Sequence, residues 1–431
     1  MERNKSMELK TYKIADIGTV VGGGTPSTTE PSFWGGNIPW ISPKDLAGYH
    51  NVYISHGENY ITEKGLNKSG SKLLPKNTLL FSSRAPIGYL AIASNPICTN
   101  QGFKSIICNE DIVTSLFLYY YIKQNLEHFK LFGTGATFPE ISATSLSKIK
   151  ITIPSIFFQQ KIASILFAYD NLIENNTKRI LLLKQMAENL YKEWFIRFRF
   201  PGHKADRLVA SKLGKLPSSF RVANMGSLFD FYIGGGWGND DMSDDYPVEA
   251  SVIRGADFPN VSRYDVSSCP KRYHKISNYK SRQLVDGDIV MEISGGTSEQ
   301  PVGRTILVTQ EMIDRFKDGK VICASFCKLI RLNKAAVSPY FFYYWMQYLY
   351  DTRIIDRFQL QSTGIINFKF EAFLRKGLVM LPPMEIMQQF DNYIIPIFKE
   401  INALATQNEI LATQRDLLLP RLMSGKLKVT K

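Results

Sequence analysis

One order of short motifs occurs twice in the 431-residue chain, about 225 residues apart, and this duplication limits the possible folds more than any other feature. Residues 116–122 read LFLYYYI and residues 340–346 read YFFYYWM; each is followed by a Gly/Thr turn, an apolar strand, a proline, a Gln-Gln pair and a long heptad-like helix. Upstream, IPWISPKDL at 38–46 answers SVIRGADF at 251–258, and LPKNTLLF at 74–81 answers VDGDIVM at 285–291. Pro86-Ile87-Gly88 matches Pro301-Val302-Gly303, Phe103 matches Phe326, and Gly133-Thr134-Gly135 matches Ser362-Thr363-Gly364. IPSIFFQQ at 153–160 closes the first series and LPPMEIMQQ at 381–389 the second. Solenoid units run to about 20–50 residues, so the period here is a whole domain plus a helix, copied once. Two similar halves present two similar binding faces, and their differing loops are where specificities diverge.

The duplicated order predicts an α+β (mixed α/β) fold: two similar globular domains separated by an antiparallel pair of long helices, with a pseudo-twofold internal repeat. The expected boundaries are 1–155 for the first domain, 156–200 for the first helix, 201–383 for the second domain and 384–431 for the second helix. From Gln160 to Phe195 there is no Pro or Gly, and apolar residues recur every seven positions through Leu166, Ile173, Ile180, Ala187 and Trp194. At 1.5 Å per residue this is a rod of about 50 Å. Phe390, Ile397, Leu404, Leu411 and Leu418 form the matching stripe. Each stripe needs a partner helix, and the other rod, packed antiparallel, supplies it. Asn176 and Asn408 interrupt the stripes and can fix register, while Pro396 is expected to bend or restart the second helix.

Lys and Arg exceed Asp and Glu by 52 to 39, a net charge of +13, and all four segments share the excess at +4, +3, +5 and +1. Basic charge spread over both domains, with aromatics interleaved, fits a polyanion partner; a basic protein with no nucleic-acid role has the same composition. No apolar stretch reaches the ~18–20 residues that span a bilayer, and the start MERNKSMELK is too charged for a secretory signal, so no membrane partner and a cytoplasmic location are expected. Five cysteines, mostly in strand-like runs, suit a reducing compartment.

Chemistry within the chain is hard to find. The one Pro-Pro, Pro382-Pro383, lacks the preceding Asn or Asp with which an amino-methyltransferase grips a flipped base. Residues 65–72, GLNKSGSK, miss the phosphate-loop order, and Asp288 and Glu292 have no lysine to complete a nuclease set. No catalytic residue and no metal ligand is assigned. Two rigidly spaced basic domains could instead each reach a major groove, successive grooves lying ~34 Å apart on one face of B-DNA.

WISPKDL, the Gly-Thr turn before IPSIFFQQKIASIL, LLKQMAENLYKEWFIRF at 182–198 and LLLPRLMSGKL at 417–427 together resemble the specificity (S) subunit of Type I restriction-modification systems, over essentially the whole chain. The resemblance implies a non-catalytic reader of double-stranded DNA in which each target-recognition domain reads one part of a bipartite, asymmetric site and the helices form the spacer, a coiled coil. It also implies two modification (M) subunits, with S-adenosylmethionine and adenine N6-methylation, and two restriction (R) subunits with ATP and Mg; none of these cofactors is expected in this chain. A recognition subunit of a bifunctional restriction enzyme, with one fused nuclease-methyltransferase partner, is the alternative.

Arg is suited to guanine edges and Lys to phosphate, so the DNA-binding candidates are Lys44, Lys72 and Arg84 in the first half and Arg254, Arg263, Arg272, Lys280 and Arg304 in the second. Trp194, Phe195 and Phe198 are expected to face a partner protein, with capping of the first domain's core as the other reading. Gly22-Gly23-Gly24 and Gly234-Gly235-Gly236 occupy matching places; they either let backbone approach DNA closely or form flexible turns.

Overall fold

The computed structural model describes residues 8–135, 139–297, 300–362 and 365–427. Of the two expected Gly/Thr turns, Thr363 and Gly364, and the Ala136 and Thr137 that follow the first, lie outside these residues. The chain divides into two compact units, one reaching to Asn175 and resuming at Asn408, the other Asn176–Gln407.

In the first unit a five-stranded sheet has the order Gly18–Gly22, Lys104–Cys108, Leu79–Ser83, Ile87–Ala93, Tyr53–Ile54. Leu79 and Phe81 point to one apolar cluster and Leu80 to another, the period-two alternation of a strand buried on both faces. A second sheet joins Asn59–Ile61, Trp34–Ile41 and Cys98–Thr99, the last two parallel. The aromatic helix Ser115–Gln124 starts where the Thr114 hydroxyl accepts the Phe117 amide, and it buries Phe117, Leu118, Tyr120 and Ile122. The same cluster takes Ile162 and Leu166 from the helix Ile156–Tyr191, and Leu419 and Leu422 from the helix Met384–Met423. Beside it the buried Asp170 carboxylate accepts from the Tyr120 hydroxyl and from Arg415. Ile162–Leu166 against Leu419–Leu422, with Asp170 against Arg415, is an antiparallel pairing.

The second unit repeats the scheme. Its four-stranded sheet runs Phe229–Gly234, Cys327–Leu332, Ile289–Glu292, Thr305–Leu307, beside a sheet of Lys271–His274, Val248–Ile253 and Val321–Cys323. Val248–Ile253 and Val321–Cys323 are again the parallel pair. Register agrees as well: Leu79 stands opposite Ile106 and Ile92, and Ile289 opposite Ile330 and Leu307. Gly88 and Gly303, ending the two Pro-x-Gly turns, have φ of +113° and +109°. The register corrects one match, since Phe103 corresponds to Cys327 and Phe326 to Gly102; their neighbours pair in the same way.

The long helices pair antiparallel in this unit too. Asn176 Nδ2 donates to Gln407 Oε1 at 2.8 Å, Arg179 meets Glu400 at 2.8 Å, and Ile180 packs with Ile401, Leu404 and Ala405. Pro396 does not interrupt the helix Met384–Met423. The expected restart is absent because Phe390 and Ile394 before it and Ile401 after it are buried, and burial at about 1.5–3 kcal/mol per large side chain offsets the ~3 kcal/mol that a mid-helix proline costs.

Trp194 and Phe195 are not a partner surface. They lie 6% and 0% exposed in the second unit's core, where Phe195 meets Phe341 at 4.9 Å and Phe390 at 5.1 Å. The first long helix ends in a π-helical turn, Lys192–Ile196, and the widened turn directs both rings inward. Phe198, half-buried, packs edge-on to Phe220. The cluster therefore fills the second core rather than capping the first. No described helix is long and apolar enough to cross a membrane.

The second aromatic helix, Pro339–Asp351, is capped by Ser338, whose hydroxyl donates to Asp391 at 2.7 Å. Burial pushes the Asp391 carboxyl up to about 6, against the pull of that hydrogen bond. A folded-state pKa above the unfolded value means that stability is greatest at acid pH and falls as pH rises from about 4 through 6. Asp391→Asn keeps an acceptor for Ser338 without the charge. It should raise stability by about 1–2 kcal/mol at pH 7.5, a gain that urea unfolding at pH 4 should find abolished.

Candidate nucleic-acid interface

In each unit the ends of both sheets converge on one backbone crossing. Gly23 N donates to Phe103 O at 3.3 Å and Gly24 N to Thr99 O at 2.9 Å; Gly235 N donates to Cys327 O and Gly236 N to Cys323 O, both at 2.9 Å. A Cβ on Gly23 would come closer than 3.0 Å to the carbonyl oxygens of Thr99 and Asn100, and one on Gly235 to those of Cys323 and Ala324. Both glycines are thus required by close approach to the chain's own backbone, neither to DNA nor for flexible turning. The crossing holds three loops together: the glycine loop, the turn after the short parallel strand, and the segment following the central strand, since Asn100 N donates to Ile41 O and Ala324 N to Ile253 O. At that segment Asp45 caps Ser42-Pro43-Lys44 and Asp257 caps Arg254-Gly255-Ala256, the same turn in both copies.

The three candidate cations of the first unit surround this crossing. Lys72 is exposed, with no ion pair among the described residues, and follows Ser71, whose hydroxyl donates to Gly24 O at 2.8 Å. Lys44 is exposed and meets Glu58 at 3.0 Å. Arg84, beside Gly102, meets Glu140 at 3.3 Å, and Glu140 also meets Lys104 at 3.0 Å. Burial raises the Glu140 carboxyl, but Lys104 and Arg84 outweigh it and hold the group below its ordinary range. Lys104 and Glu140 carry no local sequence signal; their pairing depends on a return of the chain that brings Ile141 N to Ser83 O.

In the second unit three of the five candidates are engaged internally. Arg254 places two nitrogens on Asp257, both at 2.9 Å, and one on Ser268 O at 2.8 Å. Asp257 is 1% exposed; burial would raise its carboxyl, and Arg254 holds it down instead. Arg304 grips Glu292 at 2.7 and 2.8 Å and Gly255 O at 2.9 Å. Arg272, 9% exposed, donates to Trp237 O and Gly238 O and pairs with Asp240. These three arginines build the loops, because a carboxylate or carbonyl inside low-dielectric protein needs a donor. Lys280 is exposed on the helix Ile276–Arg282, whose Arg282 Nε reaches Gly234 O at 2.9 Å, so it lies beside the crossing. Arg263 is exposed but elsewhere: it follows Ser262, which accepts from Lys184 of the first long helix at 3.0 Å. Among the described residues no cluster of three or more His, Cys, Asp or Glu could hold a metal.

Residues 7–185 match the family model described as the type I restriction modification DNA specificity domain. The chain is 34% identical, over 435 residues, to the type I restriction enzyme MjaIX specificity subunit of Methanocaldococcus jannaschii, an alignment covering 97% of this chain and 93% of that one. The chain belongs to the specificity subunits of type I restriction enzymes. It is also 32% identical over 207 residues to the EcoR124I/EcoR124II specificity subunit of Escherichia coli, covering 46% of this chain and 50% of the relative. In fold it resembles the crystal structure of the type I system S subunit from M. genitalium, with a TM-score of 0.57 at 14% identity over 100% of this chain and 99% of that one.

In this specificity subunit the arginines around the crossing divide by what they already hold. Arg254→Ala leaves Asp257 buried without its main partner and should destabilise the second unit by about 1–3 kcal/mol. Urea unfolding measures that loss, while the recognised DNA sequence should stay as in the parent; a change at one base with unaltered stability would return Arg254 to the readers.

Proposed function

We propose that this specificity subunit is a non-catalytic reader of double-stranded DNA, with its two target-recognition domains, residues 1–155 and 201–383, each reading one part of a bipartite, asymmetric target. The helices at 156–200 and 384–431 act as the spacer and as the seat of two modification subunits, with two restriction subunits completing the assembly. In this reading adenine N6-methylation and ATP-dependent restriction, with S-adenosylmethionine, ATP and Mg, belong to those partners, and the assembly works in the cytoplasm. The observation that carries it is the repeated crossing: the same loops converge in both units on a shared backbone frame, while the side chains around them differ. Relatives named as type I subunits favour separate partners over a fused nuclease-methyltransferase.

Exchange of residues 1–155 for the matching domain of a relative tests the division of labour. Methylome sequencing of cells carrying the hybrid with its modification partner should show one part of the target changed and the other intact; a change in both parts, or in neither, defeats independent modules.

The seat for partners must use what the core leaves outside. On the first long helix Leu182 and Met186 are 59% and 58% exposed and, four residues apart, share one face. Replacing both with Glu should abolish co-purification of a modification subunit without lowering the melting temperature by more than about 2 °C, since exposed substitutions change stability by about 0.5 kcal/mol or less.

A further inference from the structure

The two units share a frame at the glycine crossing but carry different residues at the exposed position that follows it. Counting from the crossing, Thr25 follows Gly24 and Trp237 follows Gly236; both glycines are buried and both following residues are exposed. Thr25 bonds through its hydroxyl to Gln101, on the turn the crossing holds. Trp237, 40% exposed, carries an indole instead.

Its loop is held from beneath at every step. The Arg272 guanidinium lies 4.8 Å from the centre of the Trp237 ring, while its Nε and Nη2 donate to Trp237 O and Gly238 O, each at 3.3 Å. Asn239 exchanges backbone hydrogen bonds with Tyr273 at 2.8 and 3.0 Å. Gly238, at φ +73°, sits so close on the fully buried His274 ring that a Cβ would fall within 3.0 Å of it. An exposed aromatic fixed in this way loses little side-chain freedom when it meets a partner, so more of the contact appears as affinity.

We propose that Trp237 is a specificity-determining residue of the second recognition domain, reading one base position by apolar contact with a base edge. The inference rests on the DNA-reading function proposed above. One face of the indole is covered by Arg272, so the ring cannot enter between two base pairs with both faces; its outer face and edge remain, and they suit a thymine methyl in the major groove. Thr25 at the same point of the first domain offers a hydroxyl, so the two copies read their half-sites with different chemistry from one position.

The test uses the full chain co-expressed with its own modification partner, with methylation scored at the target and at every single-base variant of it. Trp237→Ala should lower discrimination at one position of one half-site by about 3- to 10-fold, the scale of one buried methyl group, and leave the other half-site unchanged; Trp237→Phe, which keeps a ring over Arg272, should retain most of it. A loss of all methylation that Trp237→Phe restores also supports the assignment. An unchanged target in Trp237→Ala, a change in both half-sites, or a loss that Trp237→Phe does not restore overturns it. Failure of the DNA-reading function itself would appear separately, as absence of sequence-specific methylation by the modification partner assembled with the unsubstituted chain.

Discussion

Contact of bare backbone with backbone at Gly23 and Gly235 is the constraint on which both recognition units are arranged. Each crossing joins two sheets that, among the described residues, share no hydrogen-bonded ladder, through the amide that Gly24 or Gly236 donates to Thr99 or Cys323, the last residue of the short parallel strand before its turn. The carbonyl oxygens on that turn leave no space for a Cβ, so the loops on either side cannot spread apart without breaking the bonds that satisfy buried amides. Everything placed on those loops inherits the rigidity of the crossing. A reader of base sequence needs that property, because its side chains must meet base edges within tenths of an ångström.

Charge around the crossing follows two uses that net charge cannot separate. Arg254, Arg272, Arg282 and Arg304 direct their donors to carboxylates and carbonyls of their own unit, and they act as struts that shape the loops. Lys72 and Lys280, exposed and without ion pairs among the described residues, keep their charge for solvent or for a phosphate. A long-range field attracts a polyanion whichever residues generate it, whereas the struts fix the shape of the loops that carry them.

The duplication was legible because apolar runs, the Pro-x-Gly turns and the Gln-Gln helix starts recur in one order, and those patterns reflect burial and backbone geometry directly. The antiparallel helices followed from the seven-residue stripes. Their termini did not: Trp194 and Phe195 continue the stripe through a π-helical turn into the second core, and heptad counting has no means of seeing a changed helical pitch. Arg254 could have been read otherwise, since Asp257 lies three residues on, the same spacing as Ser42 and Asp45. Arg304 could not, because Glu292 reaches it only across a hairpin whose register is set by pairing. The triple glycines stand out in the sequence, but what they approach, Thr99 and Cys323, is set by tertiary pairing.

The first unit is finished by the last part of the chain. Ile162 and Leu166 share a core with Leu419 and Leu422, and Asp170 finds its cation only at Arg415. During synthesis at about 5–20 residues per second, the interval between Leu166 and Leu419 leaves that apolar face uncovered for roughly 10–50 s. A message cut short before Leu419 would therefore spoil the recognition domain made first, while Asn176–Gln407 could already be complete. A chain released before Leu419 would thus present that unpaired apolar face to chaperones and proteases.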